Sequence, residues 1–330
     1  MMRLLFLLML VSLPVLGKED SYADRPEVRT FIRDVAARHG FAEAELRQIF
    51  ARVKRTEPVL ESIKPPPPKA RSWEEYRGNF VNEARVAAGV AFWNTHRAAF
   101  ERAQREFGVA PEYILAILGI ETYYGRNQGR WRVIEALSTL AFDYPPRADY
   151  FRSELESYLL LARERKLDPF VLRGSYAGAI GIPQFMPSST RRYAVDFDGD
   201  GSVDLLRNPG DAIGSVANFL REHGWQPGGE VMLAARPAGE AWRPYADGSV
   251  EPKFPLADLR SAGVGFDDSR HERGTLAALV ELETPEQPSA YFVGLRNFYV
   301  ITRYNRSAFY AAAVSELAEA LRKSSQEAGK

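Results

Sequence analysis

The chain has 330 residues, 45% hydrophobic and 12% aromatic, enough for a large core and more than one structural unit. Its 43 basic and 43 acidic residues cancel to a formal net charge of zero, which argues against nucleic acid or another long polyanion as partner and against a broadly cationic membrane-binding surface. Cysteine is absent, so neither disulfides nor a thiol-linked lipid is available.

Met1-Met2-Arg3 supplies a short basic start, Leu4 to Leu16 an apolar run too short to span a bilayer, and Gly17 a small residue before Lys18-Glu19-Asp20. This reads as a secretory signal over 1–17, giving a soluble exported chain; an uncleaved interfacial anchor is the alternative. From Glu27 to Val53 apolar residues recur at helical spacing around a Gly40 break, predicting two short helices. Pro65 to Pro68 then form a stiff polyproline connector. Trp73 to Phe107 reads as largely helical. Pro111 suits a first helical position and Gly125 falls just past the expected end of the next helix. Further helices fit Val133 to Leu140, Ala148 to Arg165 and Asp211 to His223. From Gly228 to Pro285 scattered glycines and prolines, with short runs at Val231–Leu233 and Leu276–Leu282, predict a small β-containing subdomain. Helical pattern resumes after Asn305, over Ala308 to Leu321, before a frayed tail from Lys323.

Three segments carry chemistry. Glu121 ends an almost wholly apolar helical run and shares a face with Ile114, Ile117 and Leu118. Burial there raises a carboxyl pKa toward the range of a general acid, making Glu121 a candidate proton donor; an ion pair with a neighbour such as Arg126 is the structural alternative. The loop Gly174 to Ser189 combines three glycines, which let backbone approach a bulky ligand, with Ser175 and Gln184 as hydrogen-bonding groups and Phe185 as an apolar sugar-binding face. Ser188 or Ser189 suits a helix cap, and a tight structural turn is the alternative reading of the loop. In Asp196-Phe197-Asp198-Gly199-Asp200-Gly201-Ser202 oxygen ligands alternate and Gly sits sixth, as at the start of an EF-hand calcium loop. Arg207 replaces the usual twelfth-position Glu, and Asp211 can close an enlarged loop; a solvated Asp-Gly turn is the alternative.

With these segments in order, the chain resembles the lytic murein transglycosylase B family of bacterial cell-wall enzymes, glycoside hydrolase family 103, in its soluble form. The similarity covers nearly all the chain after the signal and is most specific at Ile117–Thr122, Phe142–Arg147, Gly174–Pro187, the acidic loop, Asp211–Asn218 and Ile301–Asn305. It implies a mainly α (α+β) fold. A helical domain would occupy 18–68 with its proline linker, and a lysozyme-like core 69–227 with an EF-hand-like loop at 196–211. A β-containing subdomain would follow at 228–290, then a return to the core over 291–330.

Carried over motif by motif, Glu121 is the single catalytic acid/base, and Tyr76, Arg147, Ser175, Gln184, Phe185, Tyr304, Asn305 and Tyr310 bind glycan. Asp196, Asp198, Asp200, Ser202 and Asp211 would hold a structural Ca2+, with no organic cofactor. Pro146 stands where some relatives have a second Arg, and Phe219 where some have Tyr, so subsite affinity is open to change. The implied reaction cleaves the β-1,4 bond between N-acetylmuramic acid and N-acetylglucosamine in peptidoglycan, leaving 1,6-anhydromuramoyl ends. The implied location is the periplasm, the partners glycan strands and possible cell-wall synthesis or division proteins. A hydrolytic muramidase with a second carboxylate, and a non-enzymatic glycan-binding scaffold, are the competing readings.

Overall fold

A computed structural model describes residues 21–64 and 72–328; the proposed signal over 1–17 and the proline run 65–68 lie outside the described residues. The chain divides into two compact units at Arg55/Thr56. In the first, α1 (Pro26–His39) stops at Gly40, whose left-handed φ of 68° and N–H to Ala36 O form the cap, and α2 (Glu43–Arg52) follows. Val28, Phe31, Ile32 and Val35 of α1 meet Leu46 and Phe50 of α2, with Phe31 and Phe50 edge to face at 5.9 Å.

The second unit runs through α3 (Glu57–Ile63), α4 (Trp73–Phe80), α5 (Glu83–Thr95), α6 (Arg97–Phe107) and α7 (Pro111–Thr122). It continues with β1 (Trp131–Arg132), α8 (Val133–Asp143), α9 (Ala148–Glu164), β2 (Arg173–Gly174), α10 (Pro187–Tyr193) and α11 (Pro209–Glu222). A β region contains β3 (Met232–Pro237), β4 (Phe254–Pro255), α12 (Leu256–Ser261), β5 (Val264–Gly265), β6 (Leu276–Leu282) and β7 (Ala290–Gly294). The chain closes with α13 (Arg296–Tyr304) and α14 (Ala308–Ala328).

α7 is apolar along most of its length and is buried from Ile114 to Gly119, lying against α14, α11, α5 and α6. Its close neighbours require Gly119, because a Cβ there would sit 2.7 Å from Tyr124 Oη. The helix ends not at Gly125 but at two successive left-handed residues, Tyr123 (φ 52°) and Tyr124 (φ 59°). That conformation costs a non-glycine residue about 1 kcal/mol or more. It is held by the Tyr123 and Tyr124 N–H groups on Gly119 O and Leu118 O, and by both phenols, which donate to Ala84 O and Arg85 O. Arg85 in turn donates to Gly119 O at the helix end.

The five antiparallel strands are ordered β4-β6-β7-β3-β5. β6 is buried on both faces: Ala277 and Leu279 point to a small core with Leu256 and Leu259 of α12, whereas Ala278, Val280 and Leu282 join the main core. Three expectations are corrected. α13 precedes the expected resumption of helix, because its apolar stripe is short and follows directly on β7. α14 continues through the supposedly frayed tail, where Arg322 and Lys323 pair with Glu319 one turn back. Met186, not a serine, precedes α10, because Pro187 takes the first helical position. No helix among the described residues is long and apolar enough to cross a membrane.

Candidate active site

Glu121 lies in the last turn of α7, half-buried, with its carboxylate Oε1 accepting a 2.7 Å hydrogen bond from Tyr310 Oη of α14. Arg126, the alternative partner, instead lies 4.8 Å over the Tyr123 ring. Burial pushes the Glu121 carboxyl from its ordinary 4.5 up to about 7, with the Tyr310 hydrogen bond opposing. Burial also holds the phenols of Tyr304 and Tyr310 well above their usual range, so both remain protonated donors. Among the described residues Oε2 of Glu121 has no protein partner and is left for a ligand.

The residue after the acid fastens the glycine loop to it. Thr122 Oγ1 donates to Ile182 O at 2.8 Å and accepts from the Gly125 N–H at 2.9 Å. Inside the loop, Ser175 Oγ accepts from the N–H groups of Ala177 and Ala179 at 3.3 and 3.0 Å, leaving its own proton to be donated outward. Gly181 is required here: its φ is 73°, and a Cβ would fall 2.4 Å from Leu205 O. Gln184, also left-handed at φ 51°, donates through Nε2 to Gln128 O and Gly181 O. The glycine loop is therefore both a tight structural turn and a presenter of side chains.

A cleft of about 650 Å³ brings together Arg147, Gln184, Phe185, Tyr304 and Asn305. Phe185 is only 2% exposed, packed against Phe219 at 5.6 Å and Tyr304 at 5.7 Å, so it shapes the floor more than it offers a face. Tyr304 stacks on Tyr310 at 6.4 Å and 11°, which connects the cleft to Glu121 through two rings. Tyr310 itself is 1% exposed and reaches the acid rather than the cleft lining. Tyr76 belongs to an aromatic cluster with Trp73, Phe80 and Phe309 and acts electrostatically on Tyr310.

One residue of the cleft escapes sequence reasoning: Glu154 of α9, 4% exposed, accepts from both N–H and Oγ of Ser188 at 3.0 and 2.7 Å. It is this carboxylate that Ser188 engages in place of the expected capping role. No local pattern reveals a pair 34 residues apart, although a Glu among Phe151, Leu155 and Tyr158 is a signal of a buried partner.

In the acidic loop, carboxylate oxygens of Asp196, Asp198 and Asp211 lie within 4.8 Å of one another. Asp211 is wholly buried at the start of α11 and accepts from the N–H groups of Phe197 and Asp204, each at 2.7 Å. Its pKa is raised, by burial first, against the pull of those two N–H groups. Asp196 is held low, first by the Gly201 N–H and then by those of Gly199 and Asp200. Asp200 and Ser202 are exposed in the same loop, and the Asp200 carboxylate accepts from the Ser202 N–H at 2.8 Å. Three converging carboxylates repel one another and form a hard oxygen donor set that suits a divalent cation.

A family model described as Transglycosylase SLT domain matches residues 23–319. Over 311 residues the chain is 42% identical to the membrane-bound lytic murein transglycosylase B of Escherichia coli (strain K12), covering 91% of this chain and 84% of that protein. It superposes on the crystal structure of the soluble lytic transglycosylase SltB1 from Pseudomonas aeruginosa with a TM-score of 0.85 at 45% identity, covering 91% of this chain and 99% of that one. Against the Escherichia coli lytic transglycosylase Slt35 in complex with calcium the TM-score is 0.82 at 41% identity, covering 92% and 95%.

Proposed function

The chain belongs to the transglycosylase SLT domain family, and on that premise we infer how its own residues carry out the reaction. The protein is a lytic transglycosylase that cleaves peptidoglycan, on the helix-rich, lysozyme-like fold of its relatives. Glu121 is the single acid/base. With a pKa of about 7 it is substantially neutral near neutral pH, so it can protonate the glycosidic oxygen between N-acetylmuramic acid and N-acetylglucosamine. The resulting carboxylate, steadied by the Tyr310 hydroxyl, takes the proton from the muramoyl C6 hydroxyl as that oxygen closes on C1. No water is added, and the product ends in a 1,6-anhydro ring. The Ser175 proton, free to point outward, suits the substrate N-acetyl group that stabilises the developing positive charge at C1.

The observation that carries this reading is a half-buried carboxyl with one tyrosine donor, one free oxygen and a raised pKa, joined through stacked rings to a sugar-sized cleft. Arg147, Gln184, Phe185, Tyr304 and Asn305 bind the strand there. Glu154, with both oxygens engaged by Ser188, is badly placed to serve as the second carboxylate of a hydrolase. Asp196, Asp198 and Asp211 would hold Ca2+, which would neutralise the loop and fix the start of α11 without entering the proton transfers. We place the mature protein in the periplasm.

The test is mass spectrometry of peptidoglycan digested by the protein and by Glu121→Gln. Anhydromuropeptides from the unmutated protein alone are expected. Reducing-end products would replace this reading with hydrolysis, and products from neither protein would replace it with glycan binding.

A further inference from the structure

Arg85, in the first turn of α5, joins the ends of two helices that bear on the site. Its guanidinium donates through Nη2 to Asn79 O near the end of α4, at 3.2 Å, and through Nη1 to Gly119 O in the last turn of α7. α4 carries Tyr76, and α7 carries Glu121 two residues beyond Gly119. The carbonyl end of each helix bears partial negative charge, and one cation between them answers both. Two rings lie against the guanidinium, Tyr123 at 4.9 Å and Phe80 at 5.3 Å. The same turn is tied back to α5 by the Tyr123 and Tyr124 hydroxyls, which donate to Ala84 O and Arg85 O at 3.1 and 3.0 Å. A Cβ on Gly89 of α5 would fall 2.4 Å from the Tyr124 hydroxyl, and one on Gly119 2.7 Å from it, so the two helices close on a single phenol.

This is a costly way to cap a helix. Arg85 is half-buried, burial lowers its pKa, and its buried Nε has no partner among the described residues. A shorter polar side chain could take one carbonyl without drawing a charge out of water. What the guanidinium adds is a rigid planar fork that fixes the spacing of α4 and α7. Its charge is also kept off the acid. Among the described residues no ion pair joins Arg85 to Glu121, whose carboxyl is shifted by burial first and by the Tyr310 hydroxyl second. The titratable groups that act on Arg85 are Tyr124 and Tyr123; those that face Glu121 are Tyr310 and Tyr304.

We propose that Arg85 is a positioning residue for the reaction: by spanning the ends of α4 and α7 it aims Glu121 at the glycan and keeps water from the last turn of the acid helix. The inference rests on the reading of Glu121 as the acid/base.

The experiment compares wild type with Arg85→Met, which keeps an unbranched stem but no donor, and with Arg85→Lys, which reaches one carbonyl but cannot span two. Arg85→Met is expected to lose about tenfold in kcat on peptidoglycan, with KM changed by less than about twofold. Arg85→Lys should recover part of that loss. As water reaches the freed turn, the pKa of Glu121 should fall from about 7 toward its ordinary 4.5, and the alkaline limb of the pH–rate profile should move to lower pH. A merely structural cap would lower Tm while leaving the kcat of the folded enzyme and the alkaline limb in place, and that result overturns the proposal. So does a loss carried by KM alone. Tyr123→Phe removes one tie from the same turn and keeps its ring, so it should move the limb in the same direction by less. If Arg85→Met does not fold, the limb in Arg85→Lys and Tyr123→Phe decides, and an unmoved limb in both overturns the proposal. If wild type releases no product, the acid/base reading has failed. A 13C NMR titration of the side-chain carboxyls, with Glu121 assigned through Glu121→Gln, then still decides the positioning role: a pKa lowered in Arg85→Met supports it, and an unmoved one overturns it.

Discussion

The same functional group meets opposite treatment at two places in this molecule. On α7, Glu121 has one hydroxyl donor and apolar surroundings, and its pKa rises to about 7. In the acidic loop, Asp196 collects three backbone N–H groups and its pKa falls. Few donors leave a carboxyl ready to exchange its proton; many donors keep it ionised and available to a cation. Asp211 stands between the two, with an N–H on each oxygen yet buried enough that its pKa still rises.

The sharpest way to break this contrast is Glu121→Gln, which removes the exchangeable proton. A fall in kcat of about a thousandfold is expected in a glycan-release assay. Stability should move the other way. Because the folded-state carboxyl titrates above the unfolded one, this group's contribution to stability is full below pH 4.5 and is lost as the pH rises to about 7, roughly 3 kcal/mol in all. Thermal melts of Glu121→Gln should lose that decline and show a higher Tm than wild type at pH 8.

Calcium addresses the other half of the comparison. With calcium at a hundredfold excess over its Kd, stability should increase by about 2.7 kcal/mol, read as a rise in Tm that a chelator reverses. Asp196→Asn/Asp198→Asn should abolish the rise; a retained rise would place the cation elsewhere. Gly119→Ala probes the tightness of the acid helix, since the added methyl meets Tyr124 Oη. A loss of about 1–3 kcal/mol is expected in urea unfolding. The smallest effect belongs to Tyr310→Phe. Its hydroxyl favours the charged form of Glu121, so removing it should shift the alkaline limb of the pH–rate profile further up, with only a modest loss of rate at neutral pH.

Much of this was legible in sequence because it is local. The Gly40 break, the start of α7 at Pro111 and the apolar setting of Glu121 depend on neighbours within a few turns. So does the gathering of Asp196 and Asp198. The end of α7 was misread because two tyrosines adopt a conformation that glycine favours, held there by Ala84 and Arg85 some forty residues back. Residue type sets what can ligate in the acidic loop, whereas backbone turns decide which way each side chain points, so the closeness of Asp196, Asp198 and Asp211 is seen only in the structure. Two-residue strands such as β4 and β5 carry no periodicity at all. The Glu154–Ser188 pair and the Tyr310 hydrogen bond to Glu121 exist only once distant segments have packed, 34 and 189 residues apart.

The position of Tyr310 also makes the acid helix depend on a distant segment. Glu121 and Tyr310 are 189 residues apart in the chain, so the acid gains its donor only when α14 docks on α7. A chain interrupted before Ala308 would contain Glu121, the glycine loop and the acidic loop, and still lack the hydroxyl and much of the packing around the acid helix. The acid helix is therefore completed from the far end of the described chain, by a helix that supplies both its hydroxyl donor and one of its packing faces.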